Sequence, residues 1–309
     1  MGRTTEDRRP VPTEYRPKES TIPGRRTLLT AGTATAAALL TGAPAHATTD
    51  RLRALERRHG ARLGVFAHDF RTGRSVTHRA DERFPMCSTF KTLVAGAVLR
   101  DLDRHGEVLA RRIHYTRADL VDGAPVTGTE EHLAHGMTVA ELCDAAIRYS
   151  DNSAANLLLR LLGGPTAITR FARSLGDPVT RLDRWEPELN SAEPGRRTDT
   201  TSPRAIGGDY ARLVLGRALN TADRARLTHW LLTNTTGDHR IRAGLPGTWT
   251  VGDKTGSGSY GTTNDVAVAW RADGTPVVLA LLSTKPAQDA AWDDALLAEA
   301  AAIVAGTLG

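Results

Sequence analysis

Read for its apolar positions, the chain alternates like strands near both ends and carries a helical period through its middle. Leu52 and Leu55 stand three apart within 50–59, the spacing of one buried helix face, with Thr48 or Thr49 placed to cap it. Residues 62–70 and 75–79 read as strands around the turn Arg71-Thr72-Gly73-Arg74. Leu93, Val94, Ala97, Val98 and Leu102 make an almost wholly apolar helix, predicted to start at Ser88 and to break at Gly106. A polar stretch over 111–136 follows. Thr138 caps a helix reaching Tyr149, and Ser150-Asp151-Asn152 interrupts it. A second helix runs from Ser153 to Leu162 and stops at Gly163-Gly164; Pro165 opens a third that ends at Gly176.

Residues 177–203 have no regular period and hold Pro178, Pro187, Pro194, Gly195 and Pro203. An aperiodic loop of that length inside a compact domain is usually functional. Helices resume at 204–219 and 222–233. Strands are predicted at 248–254, 265–271 and 276–284, the last two joined by Ala272-Asp273-Gly274, and a helix over 289–305 closes the chain. Strands at the two ends around a helical middle predict an α+β fold. A sheet domain, 48–84 with 236–309, is interrupted by an all-helical domain, 85–235.

Composition changes this picture at three points. With 309 residues and 40% hydrophobic content, the chain can bury a full core. The net charge of +5 suggests nucleic acid at first sight, but residues 1–47 carry +3 of it, and the interspersed charges of the remainder argue against a nucleic-acid surface. The same 47 residues read as an export leader. Arg25-Arg26-Thr27-Leu28-Leu29 precedes a short, mildly apolar stretch and then Ala45-His46-Ala47, which resembles a twin-arginine signal peptide cleaved after Ala47. The apolar run is too short and too rich in Thr, Ala and Gly for a membrane anchor. The expected product is a secreted, monomeric protein of residues 48–309. Its two cysteines, Cys87 and Cys143, are expected as unpaired thiols, and no histidine spacing suggests a metal site.

The candidate chemistry begins at Ser88-Thr89-Phe90-Lys91. A serine hydroxyl needs a base beside it to act as a nucleophile, and residues three apart on a helix share a face. Of 40 basic residues only four are lysine: Lys18, Lys91, Lys254 and Lys285. Arginine does not give up its proton in a protein, whereas a buried lysine does, so a chain that uses Arg elsewhere has kept a titratable amine at Lys91.

Three further stretches fall in line behind this one: Ser150-Asp151-Asn152, Lys254-Thr255-Gly256 and Arg181-Leu182-Asp183-Arg184-Trp185-Glu186-Pro187-Glu188-Leu189-Asn190. The first two, with the serine–lysine pair, resemble the motif set of serine β-lactamases and penicillin-binding proteins. The third resembles the Ω-loop of class A β-lactamases, here 180–199, and the similarity spans essentially all of the chain after the leader. Ser257 and the placement of Arg240 resemble actinobacterial members.

The resemblance implies a five-stranded antiparallel sheet flanked by helices, and hydrolysis of the β-lactam amide of penicillin-type antibiotics without a cofactor. It implies Ser88 as nucleophile, Lys91 and Glu186 as candidate bases for acylation, and Ser150 as proton donor to the leaving nitrogen. Substrate contacts would come from Asn152, Asn190, Arg240, Lys254, Thr255, Gly256 and Ser257, and Arg184 would pin the loop through Asp199. A penicillin-binding DD-peptidase or a non-hydrolytic β-lactam sensor shares nucleophile, lysine and fold. The discriminator is the Glu186–Asn190 pair, whose spacing of four aims both at one water. Gly123 stands where many relatives place an aromatic residue at the cleft edge.

Overall fold

The computed structural model describes residues 42–103 and 106–309. The expected leader therefore lies mostly outside the described residues, although the first helix already includes the last six residues, 42–47, before the expected cleavage point. Residues 43–309 form one compact unit.

Five strands make the main sheet: β1 (Arg62–Asp69), β2 (Ser75–His78), β3 (Thr250–Gly258), β4 (Thr262–Trp270) and β5 (Pro276–Thr284). Their order is β2-β1-β5-β4-β3, antiparallel at every junction. The hairpin from one end of the chain is thus closed onto the three strands from the other end by β1–β5 pairing, Arg62 opposite Thr284 through Asp69 opposite Val277. Strand side chains point to alternate faces, and both faces are covered. Val266, Val268, Val278, Ala280 and Leu282 join the core under the central helices. Ala267, Ala269, Val277, Leu279 and Leu281 join a second core beneath the two terminal helices.

The α-helices of seven residues or more among the described residues are α1 (Gly42–His59), α2 (Lys91–Ala97), α3 (Val139–Arg148), α4 (Asn152–Leu162), α5 (Thr166–Ser174), α6 (Pro203–Val214), α7 (Thr221–Leu232) and α8 (Asp294–Leu308). In α1, Leu52 and Leu55 are buried against the sheet as their spacing requires. Every residue of α2 is buried, so it is a central rod enclosed all round. Thr138 caps α3 in a reciprocal box with Glu141, and Asp151 caps α4 through the Ala154 amide.

Several expected boundaries move. Helix α1 starts at Gly42, so Thr48 and Thr49 lie inside it rather than at its cap. Ser88 does not open an α-helix: it sits in a 3-10 turn, Cys87–Phe90, and α2 proper starts at Lys91. Cys87 takes φ +44°, a left-handed backbone that a run of apolar residues does not announce. Strand β3 continues four residues past Lys254 and β4 starts three before Asp265, because Gly256 pairs with Asn264 and Gly258 with Thr262 across the sheet. Partner strands supply those hydrogen bonds whatever the local propensity.

Where α5 runs into the long loop, Asp209 of α6 is wholly buried. Its Oδ1 takes only a 3.4 Å bond from the Arg212 guanidinium, and its Oδ2 has no partner among the described residues. Burial, and then the neighbouring Asp177 carboxylate, push the Asp209 carboxyl up to about 9 from its ordinary 3.8, against Arg212 and Arg173. The folded chain then keeps a proton that the unfolded chain has already lost, so stability falls as pH rises from about 4 to about 9. Asp209→Asn should flatten that decline. Denaturant unfolding at pH 5 and pH 8.5 checks it: the parent should lose more stability across the interval than the variant, and equal losses would contradict the assignment.

Candidate active site

An open cleft of about 910 Å³ lies between the Ser88 turn, β3, the long loop and the segment before α8. Its floor is set by a close backbone approach. A Cβ on Gly256 would stand 2.9 Å from the Met86 carbonyl oxygen and 3.1 Å from the Ser88 nitrogen, so only glycine lets the serine turn lie against β3. Asn264 of β4 donates to the carbonyls of Pro85 (2.9 Å) and Met86 (3.2 Å) and fixes the same turn from below.

Ser88 is 7% exposed and its Oγ–H donates to Glu186 Oε1 at 3.3 Å. Lys91 Nζ lies 3.0 Å from that same oxygen, with both side chains removed from solvent. Lys91 also donates to the Ser150 carbonyl (2.7 Å), to Asn152 Oδ1 (2.6 Å) and, at 3.4 Å, to Ser150 Oγ. Burial pulls the Lys91 ammonium below its ordinary range, and the Glu186 carboxylate beside it opposes that pull. Three motifs far apart in the sequence thus meet on one amine.

Each partner is held from behind. Ser150 has φ +57°, a conformation maintained by Asp151, which is wholly buried and accepts from the amides of Val126 and Thr127, the Thr127 hydroxyl and the Ala154 amide. Asn152 is tied to the loop opposite, its backbone N–H donating to Gly123 O and its Nδ2 to Asp122 O. Gly123 has φ +81°, and a Cβ there would stand 2.7 Å from Asn152 Nδ2, so the expected loss of an aromatic at this rim comes with a closer approach of the backbone.

Glu186 hangs from a loop that is tied down at two points. Asn156 of α4 clamps its peptide unit on both sides, accepting from Glu186 N at 3.0 Å and donating to Glu186 O at 2.9 Å. Asp199, 1% exposed, accepts from the amides of Asp183 and Arg184 and from Arg184 Nε at 2.5 Å, so the expected Arg184–Asp199 tie is present. Asn190 donates from Nδ2 to Glu186 Oε2, while its own Oδ1 is buried with no partner among the described residues.

On the β3 side, Lys254 is fully buried, and burial followed by repulsion from Lys91 takes its ammonium well below the ordinary range. Thr255 Oγ1 pairs with Thr236 Oγ1 at 2.6 Å. Arg240 is 6% exposed and spends its guanidinium on Asp294 Oδ1 (2.7 Å), Ser257 Oγ (2.8 Å) and the carbonyls of Gly256 and Asn264. All the residues singled out from the sequence therefore converge on one place. Asn156, Thr236, Asp294 and Trp292, which also shape it, were missed. Cys87 and Cys143 are both unpaired and buried, with burial pushing each thiol up. No helix among the described residues is long and apolar enough to cross a membrane.

The arrangement can take a proton from a serine hydroxyl, offer an anionic group the cleft wall of Arg240, Thr255 and Ser257 with Lys254 buried behind it, and orient a water on a carboxylate. Comparisons agree with that chemistry. Residues 47–308 match the model of the beta-lactamase enzyme family. A beta-lactamase of Streptomyces albus G is 60% identical over 307 residues, covering 93% of this chain and 98% of that protein. A solved beta-lactamase structure from Streptomyces albus G superposes with a TM-score of 0.84 at 64% identity, over 85% of this chain and all of that one. A variant of the last common ancestor of Gram-negative bacteria class A β-lactamases is 55% identical with a TM-score of 0.81, over 85% of this chain and 98% of its own.

Removing the Asp199 carboxylate should release the loop that carries Glu186, since a buried partner of an ion pair leaves unpaired donors behind. In Asp199→Ala, amide hydrogen exchange over 181–190 is expected to quicken at least roughly tenfold while α2 and β4 stay protected. Unchanged exchange in that segment would show that Asn156 alone holds Glu186.

Proposed function

As a class A member of the beta-lactamase enzyme family, this chain hydrolyses the amide of β-lactam antibiotics and so confers resistance to them, and we propose that it does so through an ester formed on Ser88. The observation that carries this reading is the contact of Ser88 Oγ and Lys91 Nζ with a single buried oxygen of Glu186.

The Ser88 oxygen attacks the ring carbonyl and its proton passes to the Lys91–Glu186 pair. Both members are within reach of that proton, one through the other, and burial has weakened the hold of Lys91 on its own. The amide nitrogen leaves with a proton from Ser150 Oγ, which Lys91 resupplies across 3.4 Å. Backbone N–H groups of Ser88 and Ser257 receive the negative charge that develops on the carbonyl oxygen. The substrate carboxylate lies against Lys254, Thr255, Ser257 and Arg240 beside Gly256. Asn152 Nδ2 uses one hydrogen on Asp122 O and keeps the second for the substrate's side-chain amide.

Release of the ester needs a water that the acylated serine does not occupy. Glu186 takes its proton, and the buried, unpartnered Oδ1 of Asn190 is the acceptor that would orient it. This pair favours a hydrolase over an enzyme designed to stay acylated. In the same reading, residues 85–235 serve as the helical part and 48–84 with 236–309 as the sheet part, with Ω-loop 180–199 closing the site. Arg25-Arg26 and Ala45-His46-Ala47 support twin-arginine export, cleavage and secretion.

Glu186→Ala should react with benzylpenicillin more slowly, since Lys91 has lost its partner, and then stall, so that prolonged incubation gives a stable mass increase equal to one penicillin on intact protein while the parent shows none at steady state. Deacylation at the parent rate would remove Glu186 from the water step.

A further inference from the structure

Among the described residues, Trp292 is the most exposed large hydrophobic side chain, at 62%, and the one aromatic lining the cleft. An indole left in water at the mouth of a substrate cleft has unburied apolar area to offer. It is not loose: Nε1–H donates to the Gly258 carbonyl at 3.0 Å, which sets the ring at the end of β3, one residue past Ser257. Two residues further along, Asp294 holds Arg240 at 2.7 Å. Trp292 therefore stands beside the corner assigned above to the substrate carboxylate.

The charge around it has a definite sign. Asp289 and Glu188 line the same cleft, are exposed, and form no ion pair among the described residues. Asp294 is neutralised by Arg240. The cleft that Trp292 lines thus holds two carboxylates without an ion-pair partner among the described residues. An aromatic face in a cleft with free carboxylates attracts a planar cation, by the ring quadrupole and by simple Coulomb attraction.

We propose that Trp292, with Asp289 and Glu188, is a specificity subsite for β-lactams bearing a cationic aromatic substituent on the ring carbon next to the carboxylate, such as a pyridinium. The inference rests on the hydrolase reading above and adds a preference to it. Gly123 leaves the opposite rim without a stacking surface, so the aromatic wall of this cleft stands on the β3 side. The subsite takes no part in bond making and acts through binding, so its effect falls on KM more than on kcat.

The test uses two cephalosporins with the same nucleus and the same acyl chain, one with a C3 pyridiniummethyl group and one with a C3 acetoxymethyl group. The ratio of their kcat/KM values is measured for the full parent enzyme, Trp292→Ala, Trp292→Phe and Asp289→Asn/Glu188→Gln. The pyridinium preference should fall roughly three- to tenfold in Trp292→Ala, chiefly through KM, and be largely kept in Trp292→Phe. It should fall also in the double carboxylate variant, which loses the salt dependence that the parent shows. A ratio that stays within twofold of the parent in Trp292→Ala overturns the subsite. So does a Trp292→Ala effect confined to penicillins with and without an ammonium on the acyl chain, which would place the cation on the other side of the cleft. Benzylpenicillin turnover keeps the two failures apart: a parent inactive on it fails the hydrolase reading itself, whereas an active parent with an unaltered ratio fails only this subsite.

Discussion

A lysine ammonium buried beside a glutamate carboxylate, 3.0 Å apart and both closed to solvent, is the constraint around which this molecule is arranged. Two such groups leave water at a cost of several kcal/mol each, and only good geometry with further hydrogen bonds repays it. The structure supplies both. Lys91 finds acceptors on Ser150 and Asn152, and Glu186 finds donors on Asn190 and Ser88. Removing either partner leaves the other buried and uncompensated, so the pair behaves as a unit in folding and, in the proposed mechanism, in the transfer of the Ser88 proton.

The fold brings that pair together from three places in the chain. Helix α2 is wholly buried and starts at Lys91, so it fixes the amine to the centre of the core. The Ser150 turn is locked by the buried Asp151. The loop bearing Glu186 has no helix or strand of its own at that point and borrows rigidity from Asn156 on one side and Asp199 on the other. Strand β3 closes the fourth side, and its position at the sheet edge leaves one flank free for a ligand. Rigid elements carry the Ser88 hydroxyl and the Lys91 amine, whereas the Glu186 carboxylate sits on the long loop, a division that suits its proposed role of addressing a water as well as the serine.

Much of this was legible in the residues. Local signals worked where the cause was local: Thr138 announced the start of α3, Gly163-Gly164 the end of α4, and the strand-like runs of 62–70 and 276–284 the sheet. The four motifs named the site because each carries its chemistry in a few adjacent residues. Failures came where the cause was distant. The left-handed turn at Cys87 and the positive φ of Ser150 are imposed by contacts with β3 and Asp151. The extension of β3 through Thr255, Gly256 and Ser257 depends on pairing with β4, which no propensity for glycine and serine foretells. Asp294 and Trp292 lie far along the chain from Arg240, and nothing in their neighbourhood marks them until the chain folds back. Nothing in the sequence marks Asn156, a lone polar position on an apolar helix, although it clamps the Glu186 peptide unit.

The claim that Lys91 and Glu186 act as one unit is tested most directly by a double-mutant cycle in kcat/KM for benzylpenicillin, using Lys91→Ala, Glu186→Ala and the pair of changes together. Groups that act as a unit give grossly non-additive effects. If the pair shares one task, either single change costs nearly as much as both. Losses that simply add, in logarithm, would contradict it and would return the two residues to separate tasks.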